Sequence, residues 1–255
     1  MKTIFLKHKE WNNYGPITLT IGNFDGIHLG HAKLINTVKS FNDTKHGALT
    51  FNPHPQSFLR GNKAYTLMDV DVKINEFEKF ELDYLFIGDF NEKLASLTID
   101  EFINNLKDLG VIRLVLGRDF RFATKGSGKI ADLEKAFEVI VLDDILYKNT
   151  RISTTYIKDL LKLGNLEEAS LLLNKHYYIE GLVEKGNQVG TLMGFPTANL
   201  DYNNYYLPKN GVYYTEVLID GVIHYGITSI GYNPTVNYSV TKKLETYIID
   251  YKENL

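Results

Sequence analysis

The sequence predicts an α/β protein: a doubly wound, mainly parallel sheet followed by a small antiparallel β-barrel. Three observations lead there. From Ile17 to about Asp144, short apolar runs alternate with amphipathic helical stretches, the pattern of a parallel sheet with helices on both faces. Beyond His176 the helical period gives way to short strand-like runs broken by Gly, Asn and Asp. The chain has 255 residues, 44% of them hydrophobic and 23% charged, enough for one large core or two modest ones.

Taken in order, "PITLTIG" reads as a strand, and "AKLINTVKSF" as a helix with Leu34, Ile35, Val38 and Phe41 at helical spacing. "GALTF" is a short strand ahead of the break at "NPHP". "VDVKINEFEKF" is a helix with Val70, Ile74, Phe77 and Phe80 on its apolar side, and "DYLFIGDF" is again a strand. "TIDEFINNLKDLG" opens with a capping-box pattern, Thr98 with Glu101, and stops at Gly110. "IRLVLG" and "FEVIVLDDI" complete the parallel set. "TTYIKDLLKLG" and "LEEASLLLNK" are two short helices separated by Gly164. In the last part, Asp220-Gly221 between two strand-like runs is a hairpin signal. The expected division is 1–150, a linking helical segment at 151–175, and a barrel at 176–255.

Composition removes several function classes. A net charge of −3 supplies no basic field for nucleic acid. Absence of cysteine excludes a disulfide scaffold, a thiolate metal site and a Cys nucleophile, and suits a reducing cytoplasm. "MKTIFLKHKEW" is too charged for a signal peptide, and no apolar run reaches membrane-spanning length. The expectation is a cytoplasmic protein of small-molecule partners, with no nucleic acid and no membrane, as a monomer or weak homo-oligomer.

The stretch "TIGNFDGIHLGHAKLI" carries the chemistry. A strand enters a glycine-containing turn and then a helix, whose first N–H groups lack internal partners and whose dipole favours an anion. Gly22, Gly26 and Gly30 would admit a close ligand, and His28 and His31 would donate hydrogen bonds to phosphate oxygens. The alternative is a pair of partly exposed histidines capping a helix. The stretch is neither a Walker A loop nor a G-x-G-x-x-G fingerprint.

"GNFDGIHLGH" resembles the first motif of the nucleotidyltransferases with an H-x-G-H signature. With "FNPHP" at 51–55, "GRDFRFATKGSGK" at 117–129, "RISTTYIKDLLKLGNLEEASLLL" at 151–173 and "GTLMGFPTANL" at 190–200, the chain resembles the bacterial bifunctional riboflavin kinase/FAD synthetases in order and spacing from about residue 15 onward.

The resemblance implies a Rossmann-like FMN adenylyltransferase domain that converts ATP and FMN to FAD and pyrophosphate. It places His28 and His31 at the ATP phosphates, with Gly22, Asn23, Asp25 and Gly30 lining the nucleotide. Asp25 would meet ATP or a magnesium-bound water. Ser153, Thr154, Thr155 and Lys158 would close on the same phosphates, Lys158 standing where the family usually has Arg. His54, Pro55, Asp119 and Phe120 fall on the flavin side. Bland readings stay open: "FNPHP" also reads as a rigid loop, Asp119 as a strand-end cap, Phe120 as core, and Ser153 to Thr155 as a helix N-cap run. Ala123 replaces a usual Gly, which stiffens its loop.

The C-terminal module implies a riboflavin kinase, riboflavin and ATP giving FMN and ADP. By motif Thr197 and Asn199 hold Mg²⁺ and phosphates, and Glu245 in "LETYIID" is the catalytic Glu; in isolation Glu245 is one charge on a strand face. Thr191 stands where the family usually has Arg. The family pattern continues through a further strand and a long helix, so a stop at Leu255 implies a shortened module. Three readings follow: a bifunctional enzyme making FMN and FAD, an FAD synthetase with a vestigial kinase, or a non-catalytic flavin-binding regulator. A related cytidylyltransferase is remote.

Overall fold

The computed structural model describes residues 1–7, 11–60, 65–184, 196–232 and 242–251. In chain order the first part comprises β1 (Lys2–Leu6), β2 (Ile17–Ile21), α1 (Leu29–Lys39), β3 (Lys45–Asn52), α2 (Pro55–Arg60), α3 (Val70–Glu78) and β4 (Tyr84–Asp89). It continues with α4 (Glu92–Ala95), α5 (Ile99–Asp108), β5 (Val111–Gly117), α6 (Ile130–Leu133) and β6 (Glu138–Leu142). A small hairpin, β7 (Leu146–Tyr147) with β8 (Thr150–Arg151), leads to α7 (Thr154–Leu163) and α8 (Leu166–Leu173). The last part holds β9 (Leu182–Glu184), β10 (Thr197–Asp201), β11 (Gly211–Ile219), β12 (Val222–Gly231) and β13 (Lys243–Ile248).

The first sheet has six strands, all parallel, in the order β1-β4-β3-β2-β5-β6. From β2 the chain steps outward to β3 and β4; from β5 it steps the other way to β6. The order therefore reverses between β2 and β5, and a crevice opens beyond their carboxyl ends, where such sheets bind ligands. β2 is central, and all five of its residues are buried, Thr18 and Thr20 included. Strand β1, outside the expected set, adds at the edge beside β4. Its alternation is short and half-exposed, so the residues carry little strand signal of their own.

Two apolar layers cover the sheet. One gathers Trp11, Leu19, Phe102, Leu106, Leu114 and Phe122; the other gathers Phe24, Ile35, Phe77, Ile87, Val115 and Tyr205. The expected capping box of α5 is present: Thr98 Oγ1 accepts from the Glu101 N–H while the Glu101 carboxylate accepts from the Thr98 N–H at 2.8 Å. Helix α3 departs from its expected face. Lys73 and Glu76 are buried beside Val72 and Phe77, whereas Val70, Ile74 and Phe80 are half-buried and pack at the margin.

The second sheet has five antiparallel strands in the order β11-β12-β13-β10-β9. The expected hairpin joins β11 to β12. Ile219 faces Val222, and Asp220 and Gly221 take φ of +48° and +82°, as a two-residue turn with the strands' own twist requires. Among the described residues no pairing joins β9 to β11, so the barrel-like sheet stands as an open order.

The two parts share a core through the β10–β11 connection. Tyr205 is 1% exposed and packs in the layer of Phe24 and Phe77. The neighbouring backbone pairs with the segment before α3: Thr66 N–H donates to Asn204 O and Tyr206 N–H donates to Thr66 O, both at 2.8 Å. The Tyr205 hydroxyl is buried with no hydrogen-bond partner among the described residues. Tyr205→Ala should therefore lower stability by about 3–5 kcal/mol through the cavity it leaves. Tyr205→Phe, which removes an unsatisfied hydroxyl, should leave the thermal transition unchanged or raise it. Thermal unfolding of the two variants checks both.

Candidate functional site

The ends of β2, β3 and β5 and the start of α7 converge on one rim, and the loop from Gly22 to His28 lies at its centre. Three of its residues take left-handed backbone: Phe24 at φ +47°, Gly26 at +92° and Ile27 at +44°. For Phe24 and Ile27 that conformation costs about 1–2 kcal/mol each, so outside contacts must hold the loop. Gly26 is forced twice over, because a Cβ there would also stand 2.7 Å from Leu67 Cδ1. Gly30 serves His28, whose ring fills the space a Cβ would occupy at 3.1 Å. The room beside Gly22 is taken by the Phe24 ring. All three glycines thus make way for the protein's own side chains.

Asp25 is the anchor of the loop. It is 1% exposed, and its carboxylate accepts from the Leu67 N–H at 2.6 Å and from Lys158 Nζ at 2.9 Å. Its carbonyl accepts from Thr154 Oγ1 at 2.8 Å. Lys158 donates also to Tyr65 O at 2.8 Å. Asp25 and Lys158, both expected at the nucleotide, hold each other and tie the loop to α7. Asn23 is exposed, and its carbonyl accepts from Lys73 Nζ at 2.8 Å and Thr50 Oγ1 at 3.1 Å.

His28 caps α1. Its Nδ1 accepts from the His31 N–H at 3.3 Å, and the two rings stack with centroids 3.7 Å apart. Burial, only partly offset by Asp25, pulls His28 down to about 4. Burial and the neighbouring His28 hold His31 well below the usual imidazole range. Both rings are therefore neutral at pH 7. With Nδ1 accepting, the His28 proton sits on Nε2. His31 lies edge-on to Phe24, and its Nδ1 is buried without a partner among the described residues.

The remaining expected residues border the same rim. His54 follows β3; its Nδ1 accepts from the Gln56 N–H at 3.2 Å, and burial pulls it down to about 4. Pro55 opens α2, where a missing N–H costs nothing. Asp119, beyond β5, is exposed and accepts from Arg151 at 2.7 Å, which holds its carboxyl below the usual range. Arg151 also reaches Asp144 at 3.0 Å. Phe120 is half-buried and stacks near Phe122. Ser153 caps α7, accepting from the Tyr156 N–H, while Thr155 is exposed.

Thr197, Asn199 and Glu245 form a second group on the other sheet. Asn199 lies opposite Glu245 in the β10–β13 ladder, and Thr197 is two residues along, so the three share one face. Thr191 lies outside the described residues.

Sequence reasoning misses Lys73, Thr50 and Arg151. Lys73 carries a signal nonetheless: at helical spacing it falls between Phe77 and Phe80, a lone cation inside an apolar stripe.

The family model for FAD synthetase matches residues 11–156, and that for riboflavin kinase matches residues 173–255. The chain belongs to the bifunctional riboflavin kinase/FMN adenylyltransferase family. A member from Listeria monocytogenes is 35% identical over 100% of this chain and 86% of its own length. One from Bacillus subtilis is 34% identical over 92% of this chain and 79% of its own. A crystal structure titled as a macrolide-efflux protein from Streptococcus pneumoniae superposes with a TM-score of 0.84 at 27% identity, covering 99% of this chain and 86% of that one. No helix among the described residues is long and apolar enough to cross a membrane.

Lys158 is mostly buried and Asp25 almost wholly so. Asp25→Asn should cost about 3 kcal/mol by leaving the ammonium without its counter-charge. Asp25→Asn with Lys158→Met should recover part of that loss. A double-mutant cycle by chemical denaturation checks the coupling.

Proposed function

We propose that adenylyl transfer takes place at the rim around His28 and His31, and riboflavin phosphorylation on the face carrying Thr197, Asn199 and Glu245. The chain is an enzyme with both FMN adenylyltransferase and riboflavin kinase domains, acting on ATP and flavins. What supports the placement of the first site is one observation: two stacked, neutral imidazoles at the head of α1, beside the head of α7, at the strand-order reversal of the parallel sheet.

At the first site a phosphate oxygen of FMN attacks the α-phosphorus of ATP. The bond from that phosphorus to the bridging oxygen breaks, and pyrophosphate leaves. No enzyme nucleophile is needed, since the attacking phosphate is already an anion. The protein's share is alignment and preorganised donors. His28 offers the N–H of Nε2, and the first N–H groups of α1 and α7 add their dipoles. Neutral rings donate without bringing a counter-ion or a proton to be lost. His54 and Pro55 border the flavin phosphate side; Asp119 and Phe120 border the ring. The division 1–150, 151–175 and 176–255 follows, with the middle segment supplying Ser153 and Thr154.

At the second site the acceptor is the terminal hydroxyl of riboflavin. Glu245 takes its proton as the oxygen joins the γ-phosphorus, and ADP leaves. Thr197 and Asn199 supply oxygen donors beside a carboxylate, the hard donor type that Mg²⁺ takes together with substrate phosphates. Bound there, Mg²⁺ would neutralise phosphate charge.

With ATP, Mg²⁺ and FMN, His31→Ala should lower FAD production by about 100- to 1000-fold, while riboflavin phosphorylation persists. Glu245→Gln should do the reverse. Chromatography of the flavins reads both, and undiminished FAD from His31→Ala would remove this reading of the site.

A further inference from the structure

Lys73 belongs to none of the matched motifs, and neither reaction above uses it. It is 6% exposed, on the inner face of α3. Its Nζ donates to Asn23 O at 2.8 Å and to Thr50 Oγ1 at 3.2 Å, while Thr50 Oγ1 donates to the same Asn23 carbonyl at 3.1 Å. The three groups close a triangle on one carbonyl. That carbonyl stands immediately before the left-handed stretch Phe24–Ile27, which delivers His28 to the head of α1. Phe24 in turn packs its ring between His31 and Phe77, on the helix that carries Lys73. A buried ammonium is costly, and an apolar side chain in its place would release the Asn23 end of the loop.

We propose that Lys73 is a positioning residue for adenylyl transfer: through the Asn23 carbonyl its ammonium holds the loop 22–27, left-handed at Phe24, Gly26 and Ile27, in the form that sets His28 and His31 against the triphosphate. The inference rests on the adenylyl-transfer reading of this rim. The charged and titratable groups around Lys73 come from four elements: Asp25 in the loop, Asp69 at the head of α3, His31 on α1 and His54 after β3. Burial outweighs the two carboxylates and pulls Lys73 down to about 8. The histidines are already neutral there, His54 from about 4 upward. Below about 8 the ammonium is present and the loop is held; as pH rises through that value the charge is lost and the grip weakens.

The test measures kcat for FAD formation from ATP and FMN between about pH 6.5 and 9.5, in the wild type, Lys73→Arg and Lys73→Met. Riboflavin phosphorylation by the same full chain is the internal reference. The wild-type FAD rate should fall roughly tenfold over the alkaline part while the kinase rate does not follow. Lys73→Arg, charged throughout, should keep a level alkaline limb. Lys73→Met should be low at every pH, by about 100-fold in kcat with little change in KM for ATP, and should retain kinase activity. A wild-type FAD profile that stays level, or that merely tracks the kinase, overturns the proposal whether or not Lys73→Met folds. Unchanged kcat in Lys73→Met overturns it as well. A wild type that makes no FAD at any pH overturns the adenylyl-transfer reading itself, and this proposal falls with it.

Discussion

The carboxylate of Asp25 is the point on which the N-terminal site depends. The Asp25 side chain is 2% exposed, and a carboxylate so buried is stable only if its lone pairs are taken, here by groups from distant parts of the chain. The Leu67 N–H arrives from the segment before α3, Lys158 Nζ from α7, and Thr154 Oγ1 reaches the carbonyl of the same residue. One residue thus fixes the relation of the loop 22–28 to two other elements. The Lys158 ammonium is a compact charge suited to that single carboxylate and to the Tyr65 carbonyl.

The anchoring matters because the loop is not a relaxed one. Phe24 and Ile27 hold left-handed backbone that non-glycine residues avoid, and the contacts to Asp25, Asn23 and the Phe24 ring supply what local preference does not. The same crowding removes water from His28 and His31 and keeps them uncharged. On the proposed reading of this rim, donors already in place when phosphate charge moves do the work, and a loop that is over-determined by its surroundings keeps them there.

The two halves are joined physically as well as in sequence. Tyr205, from the connection between β10 and β11, completes an apolar layer of the N-terminal part. The backbone around it pairs with Thr66, next to the Leu67 that Asp25 holds. Packing of the second part therefore reaches within a few bonds of the loop 22–28, and the junction is a portion of the core rather than a tether.

Much of the first half is legible from residues alone. The strands from Ile17 to Leu142 are short apolar runs, and α1 and α5 have amphipathic spacing and caps, so local preference and burial agree there, while α3 buries Lys73 and Glu76 against its apolar pattern. The Asp220-Gly221 turn and the Thr98–Glu101 capping box are equally local, each set by the chemistry of a few adjacent residues. The H-x-G-H and I-S-T-T stretches are legible as helix starts with polar side chains, and His28 and Ser153 do cap α1 and α7. What escapes is non-local. Strand β1 needs β4 beside it to be a strand. Lys73 stands out as a cation in an apolar stripe, but its partners, Asn23 and Thr50, are known only once the loop lies over it.

The sequence by itself determined the alternating α/β order and the change to antiparallel strands after His176, because each of these is written in neighbouring residues. Only the tertiary structure decided that Asp25 and Lys158 hold one another, that three glycines make room for protein side chains, and that Tyr205 belongs to the core of the other half. The physical reason is that a buried charge or cavity is defined by groups far apart in the chain, and their identity appears only when the chain has folded.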